Sequence, residues 1–144
     1  VRAFDTLMNE SQSGFKKVDT TIILQKREDN TVAMNLPNIE FAFGKADLLP
    51  SSYSILNRVY AILEKYPESK FAVEGHTDSI GSKERNLALS KLRAESVAKY
   101  LMTKFNIPAD RIIVKGYGDA RPKFPNDTEE NRKKNRRVEI AIMN

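Results

Sequence analysis

The stretch that most constrains this chain is Phe71 to Val97, FAVEGHTDSIGSKERNLALSKLRAESV. Alternation of Phe71 and Val73 with Ala72 and Glu74 predicts a half-buried strand, which Gly75 is expected to close. A polar loop follows. Ser82 is placed to cap a helix, with Glu84 near the positive end of its dipole. Leu87, Ala94, Val97, Ala98, Leu101 and Phe105 supply an apolar stripe, and Asn106 and Pro108 end it. A strand, a tight loop and a long helix in that order commit the chain to an α/β layer arrangement.

The flanking segments fit the same plan. Thr20–Gln25 and Thr31–Leu36 are β-rich runs joined through Asp29-Asn30, a hairpin signal. Pro50-Ser51-Ser52, with serine as the expected N-cap, starts an amphipathic helix carried by Ile55, Val59, Ile62, Leu63 and Tyr66, and Pro67 stops it. Arg111–Lys115 is a further strand, Gly116-Tyr117-Gly118 a turn, and residues 119–127 a proline-bearing loop. Thr128 caps a short polar helix to about Lys134, and Val138, Ile140 and Ile142 alternate as a last strand. The predicted architecture is an α/β two-layer sandwich: one mixed sheet, two main helices and a short third helix on one face, and an N-terminal β-hairpin. Residues 1–19 are expected to be an extension or linker and 20–144 the domain.

Chemistry narrows next. The chain has no cysteine, which excludes thiol catalysis and thiolate metal sites. Its one histidine, His76, has no Gly-x-Ser-x-Gly elbow to serve. Glu74, His76 and Asp78 are spaced by two, so a strand continuing through the loop would give them one face and a possible metal set. Gly75 argues against that, and neither a metal nor a cofactor is expected. The glycines make no phosphate loop. Net charge is +5, and the basic run Arg132, Lys133, Lys134, Arg136 and Arg137 is flanked by Glu129, Glu130 and Glu139 and has no aromatics interleaved, so nucleic acid is not an expected partner. No apolar run approaches a bilayer's thickness, so membrane association is expected only through a segment outside this sequence.

Asp78 and Arg93 remain. Asp78 sits in the loop feeding a helix N-terminus, and Asn86, Ser90, Arg93 and Val97 fall in one row on that helix. Together they suit a small zwitterion, the carboxylate taking an ammonium and the guanidinium taking a carboxylate through a two-bond fork. An Asp78–Arg93 salt bridge without ligand explains the same residues. On the residues alone the two readings stand level.

Gly75-His76-Thr77-Asp78, Gly81, Asn86, Leu89-Ser90, Arg93-Ala94 and Val97 closely resemble the OmpA-like peptidoglycan-binding domain. Phe41 to Leu48, Gly116-Tyr117-Gly118-Asp119 with Pro122, and Asn135-Arg136-Arg137-Val138-Glu139 agree in order and spacing, over about residues 38–143. The resemblance implies a non-catalytic module that anchors an envelope component to the wall, at the periplasmic face of the outer membrane. It implies that Asp78 and Arg93 hold the diamino acid of the stem peptide, diaminopimelate or another. It further implies that Thr77 and Asn86 line or brace the site, that Arg136 stands on its ligand side, and that Gly44, Lys45 and Gly81 line the pocket. Other envelope proteins are possible partners. Two departures stand out: Ala42 where the family often has aspartate, and Asn131 where glycine is usual, expected to tolerate a left-handed backbone.

Overall fold

The computed structural model describes residues 16–17, 22–36 and 39–143. Six strands form one sheet: β1 (Lys16–Lys17), β2 (Ile23–Lys26), β3 (Val32–Leu36), β4 (Lys70–His76), β5 (Ile112–Gly116) and β6 (Arg137–Met143). Their spatial order is β1-β2-β3-β6-β4-β5. Only β4 and β5 run parallel, and every other neighbouring pair is antiparallel. The helices are α1 (Tyr53–Leu63), α2 (Lys83–Phe105) and α3 (Glu129–Asn135). Three helices on an open mixed sheet are the architecture expected from the sequence. The short strand Lys16–Lys17 was not expected; the rest of the expected extension or linker over residues 1–19 lies outside the described residues.

Register explains the two faces. Leu24, Met34, Ile140, Val73 and Val114 stand side by side across five strands, and Val32, Ile142, Phe71 and Ile112 make the next row. These rows meet the helices and form the core with Leu56, Val59, Val97 and Leu101. Because side chains alternate along a strand, the opposite face carries Ala33, Ala141 and Ala72, then Asn35, Glu139, Glu74 and Lys115, then Arg137 and His76.

Two glycines set how close α2 lies. A Cβ on Gly75 would stand 2.0 Å from the Ser90 carbonyl oxygen, and one on Gly116 would stand 2.5 Å from the Lys91 nitrogen. Glycine is required because helix backbone and sheet backbone touch. This contact corrects the expected stripe. The buried face of α2 is Asn86, Ser90, Ala94, Val97, Ala98 and Leu101, while Leu87 is 53% exposed. Small and polar groups face the sheet where the approach is tightest, and Leu87, one position round, points outward.

Other boundaries shift for local reasons. Gly75 does not end β4, since it pairs with Gly116 and Val138 and the ladder continues to His76. Ser52 does not cap α1 with its side chain. It lies in a 3-10 turn, Pro50–Ser52, and its hydroxyl accepts from the Glu40 N–H at 2.7 Å. Ser82 and Thr128 do cap α2 and α3, accepting from the Arg85 and Asn131 N–H groups. Asn106 ends α2 in the left-handed region at φ 56°. Asn131 is an ordinary residue of α3's first turn with no positive φ, so the glycine it replaces is not demanded by backbone geometry. Asn30, at φ 68°, makes the hairpin turn, braced by Asp29 Oδ1 accepting from the Thr31 N–H.

Candidate functional site

The site lies where β4 and β5 run out into their loops. The Tyr117 N–H donates to the Gly75 carbonyl at 3.0 Å, and the Thr77 N–H donates to the Gly118 carbonyl at 2.8 Å, so the loops are bonded to each other. Helix α2 fixes both from beneath. Asn86 Nδ2 donates to the carbonyls of Ile80 (3.0 Å) and Asp78 (3.4 Å). Ser90 Oγ accepts from the Gly118 N–H at 2.9 Å and donates to the Leu87 carbonyl. Both side chains are buried. Asn86 therefore braces the loop rather than offering its amide to a ligand, and Thr77 acts likewise, its hydroxyl donating to the Asp78 carbonyl at 2.9 Å. Gly81, at φ +95°, makes the bend that returns the chain to α2.

Asp78 is held at both carboxylate oxygens. Oδ1 accepts from the Ile80 N–H at 2.9 Å, and Oδ2 accepts from Arg136 Nη1 at 2.5 Å. Arg136 also donates through Nη2 to Glu129 on α3 at 2.7 Å. The bond to Glu129, more than that to Asp78, raises the Arg136 pKa, and the same pairing lowers that of Glu129. Arg136 thus stands at the site as Asp78's ion-pair partner.

Arg93 is placed differently. Its Nε donates to the Lys45 carbonyl at 2.8 Å, and its guanidinium lies 4.9 Å from the Phe41 ring centroid. Among the described residues nothing accepts from Nη1 or Nη2, and no direct Asp78–Arg93 ion pair forms. Desolvation lowers the Arg93 pKa first, then the nearby charges of Arg136 and Arg85, while Asp78 pulls the other way. The structural Asp78–Arg93 bridge, one of the two readings of the sequence, is not made; Asp78 is paired elsewhere.

Residues 41–48 form the rim. Phe41 bridges to Leu48, the Ala42 N–H donates to the Asp47 carbonyl, and Ser96 of α2 holds the loop through the Ala46 carbonyl at 2.6 Å. Gly44 turns the loop at φ +66°, and a Cβ there would stand 3.6 Å from Arg85 Nη2. Gly44 and Lys45 therefore reach the site, Lys45 through its backbone carbonyl.

The remaining charged motifs disperse. Both Glu74 oxygens accept from Arg27 (2.6 and 3.1 Å), so Glu74 is not presented with His76 and Asp78 as a ligand set. Among the described residues no three metal-binding side chains converge. Arg132 and Lys134 pair with Glu129 and Glu130 on their own helix, and Arg137 is buried against Glu139. Sequence reasoning missed the ladder Arg27–Glu74–Glu139–Arg137. Strand parity shows only that Glu74 and Glu139 alternate with the core residues Val73, Val138 and Ile140 and so stand on the opposite face of the sheet; it does not pair them with Arg27.

The OmpA family model matches residues 40–136. The chain is 37% identical over 127 residues to the Escherichia coli protein named probable lipoprotein YiaD, covering 88% of this chain and 58% of that one. It is 43% identical over 103 residues to the peptidoglycan-binding protein ArfA of Mycobacterium tuberculosis, covering 70% of this chain and 31% of that one. The periplasmic domain of Helicobacter pylori MotB superposes with a TM-score of 0.74 at 25% identity, covering 89% of this chain and 85% of that one. The chain thus spans less than two thirds of the length of either curated relative.

Proposed function

Since the chain belongs to the OmpA family, a non-catalytic group of envelope proteins, we propose that it binds cell-wall peptidoglycan through the zwitterionic end of the stem peptide's diamino acid. Asp78 takes the ammonium and Arg93 the carboxylate. The observation that carries this reading is the state of Arg93. Its Nε is anchored on the Lys45 carbonyl, its Nη1 and Nη2 lack acceptors among the described residues, and burial first, then the nearby cations Arg136 and Arg85, lower its pKa. A carboxylate docking on that edge would make the two-bond fork and relieve the repulsion from Arg85 and Arg136. Asp78, fixed by the Ile80 N–H and Arg136, keeps further lone pairs for an ammonium. No nucleophile, base or metal takes part; recognition is by charge and shape.

The anchored protein would act in the cell envelope, at the periplasmic face of the outer membrane, with attachment supplied by other parts of the protein. Diaminopimelate fits better than a diamino acid lacking the second carboxylate, because only the former uses Arg93.

Sedimentation with purified sacculi tests the reading. Wild-type protein should pellet with the wall, and Asp78→Ala and Arg93→Ala should stay in solution while keeping native circular dichroism. Folded mutants that pellet like wild type would sink the proposal. They would favour the alternative that the fold serves as a structural or protein-interaction domain, for which the missing rim carboxylate at Ala42 speaks.

A further inference from the structure

The helix-free face of the sheet carries a cavity of about 500 Å³ that is not lined by Asp78 or Arg93. Its floor is Glu74, His76, Arg137 and Glu139; its rim carries Arg27, Arg121 and Lys123 at one side and Lys26 with the acids Glu28 and Asp29 in the hairpin turn. The floor is charged yet balanced. Arg27 donates to both Glu74 oxygens and to Glu139 Oε1, and Arg137 donates to Glu139 Oε2. Two guanidiniums neutralise two carboxylates, and all four carboxylate oxygens are occupied.

Three groups are left over. His76 is 4% exposed, and neither Nδ1 nor Nε2 has a hydrogen-bond partner. Buried ring nitrogens without partners are rare and call for an occupant. Among the described residues Arg121 and Lys123 have no carboxylate within ion-pair distance. Arg121 lies 3.9 Å over the Tyr117 ring, which in turn stacks on His76 with centroids 5.3 Å apart.

The rim is also held in place. Asn135 Oδ1 accepts from the Lys123 and Phe124 N–H groups at 2.9 and 3.0 Å, and Arg137 Nη2 donates to the Arg121 carbonyl at 2.9 Å. The backbone that carries both free cations is therefore fixed over a neutral floor with an unsatisfied imidazole in it. Water would engage the imidazole alone; an anion would accept from the imidazole N–H and from both cations together.

We propose that this cavity is a binding site for a small oxyanion, held by an imidazole N–H of His76 and by the side chains of Arg121 and Lys123. The local field agrees. Desolvation, then the charge of Arg137, with Arg27 and Arg121 adding to it, hold the His76 pKa down to about 3 against the pull of Glu139. Lys123 is lowered by desolvation first, with Glu139 opposing and Arg137 and Arg27 adding to it. In both groups burial is the main force against the charged form, a cost that a bound anion would offset.

With one histidine in the chain, the imidazole signals need no assignment. The full chain, labelled with nitrogen-15, is titrated at pH 7 with sodium phosphate or sodium acetate against sodium chloride at matched ionic strength. The expected result is a saturable shift of the His76 ring nitrogens with at least one oxyanion and none with chloride. Lys123→Gln and Arg121→Gln, both at exposed positions, should each weaken it about tenfold, with Lys104→Gln as an unaffected control and native circular dichroism showing that loss of the Arg121–Tyr117 contact leaves the fold intact. Saturation by acetate alone assigns a carboxylate ligand, and saturation by phosphate a tetrahedral one. Shifts no larger than chloride's, or shifts unchanged in the Lys123 and Arg121 variants, would overturn the site. Sacculus binding through Asp78 is independent of either outcome.

Discussion

His76 should make the fold sensitive to mild acid, and the size of the effect follows from its burial. Removal from water, more than the nearby Arg137, holds its pKa down to about 3 from an ordinary 6.5. The sign follows directly. Between those values the unfolded chain takes up a proton that the folded chain refuses, so stability falls as pH drops below the unfolded value. By pH 5 the loss should be ~2 kcal/mol relative to pH 7.5, from the ratio of the unfolded and folded binding polynomials. Glu139, lowered to about 2 although burial opposes it because Arg137 and Arg27 bind its carboxylate, loses its contribution mainly below the ordinary 4.5. That separates the two windows. Urea unfolding at pH 7.5 and pH 5, in chloride with a cationic buffer so that no oxyanion competes, measures the difference. His76→Gln should abolish most of it. Equal stability at the two pH values, or an unchanged slope in His76→Gln, would refute the account of His76 as a buried neutral imidazole.

Gly75→Ala should destabilise the fold by ~1–3 kcal/mol or more, because its Cβ would stand 2.0 Å from the Ser90 carbonyl and α2 must move away; urea midpoints check this, and a neutral result would mean the helix approach is loose. Arg136→Ala removes the ion-pair partner of Asp78, whose side chain is 10% exposed, while the arginine is a third exposed. The expected loss, reduced for solvent screening, is ~1–2 kcal/mol by thermal or urea melts, with Glu129→Ala costing far less. Asn135→Ala deletes four hydrogen bonds to residues 123–126, and accelerated proteolysis within residues 119–127 should report the released loop.

The sequence carried the fold well where periodicity and capping act locally. Ser82, Thr128, Asn106 and the Asp29-Asn30 turn take the roles their chemistry dictates. It misled where two distant backbones meet. Gly75 looks like a strand terminator in one dimension, yet in three it is the clearance that α2 needs, and the same contact pushes Leu87 to the surface. Asp78 and Arg93 were legible as a charged pair beside a helix N-terminus. That Asp78's partner is Arg136, 58 residues on, was not, because ion pairing across a sheet leaves no local spacing. The Arg27–Glu74–Glu139–Arg137 ladder was hidden for the same reason: its members are 47 to 112 residues apart wherever Arg27 takes part.

The zwitterion clasp is tested most directly by calorimetric titration of two stem peptides that differ only in the diamino acid, diaminopimelate against lysine, with wild type and Arg93→Ala. Wild type should bind the diaminopimelate peptide about tenfold or more tighter, the worth of one charge-assisted fork at ~1.4 kcal/mol or above. Arg93→Ala should bind the two alike. Discrimination that survives intact in Arg93→Ala, or is absent from wild type, would contradict the assignment of Arg93 as the carboxylate receptor.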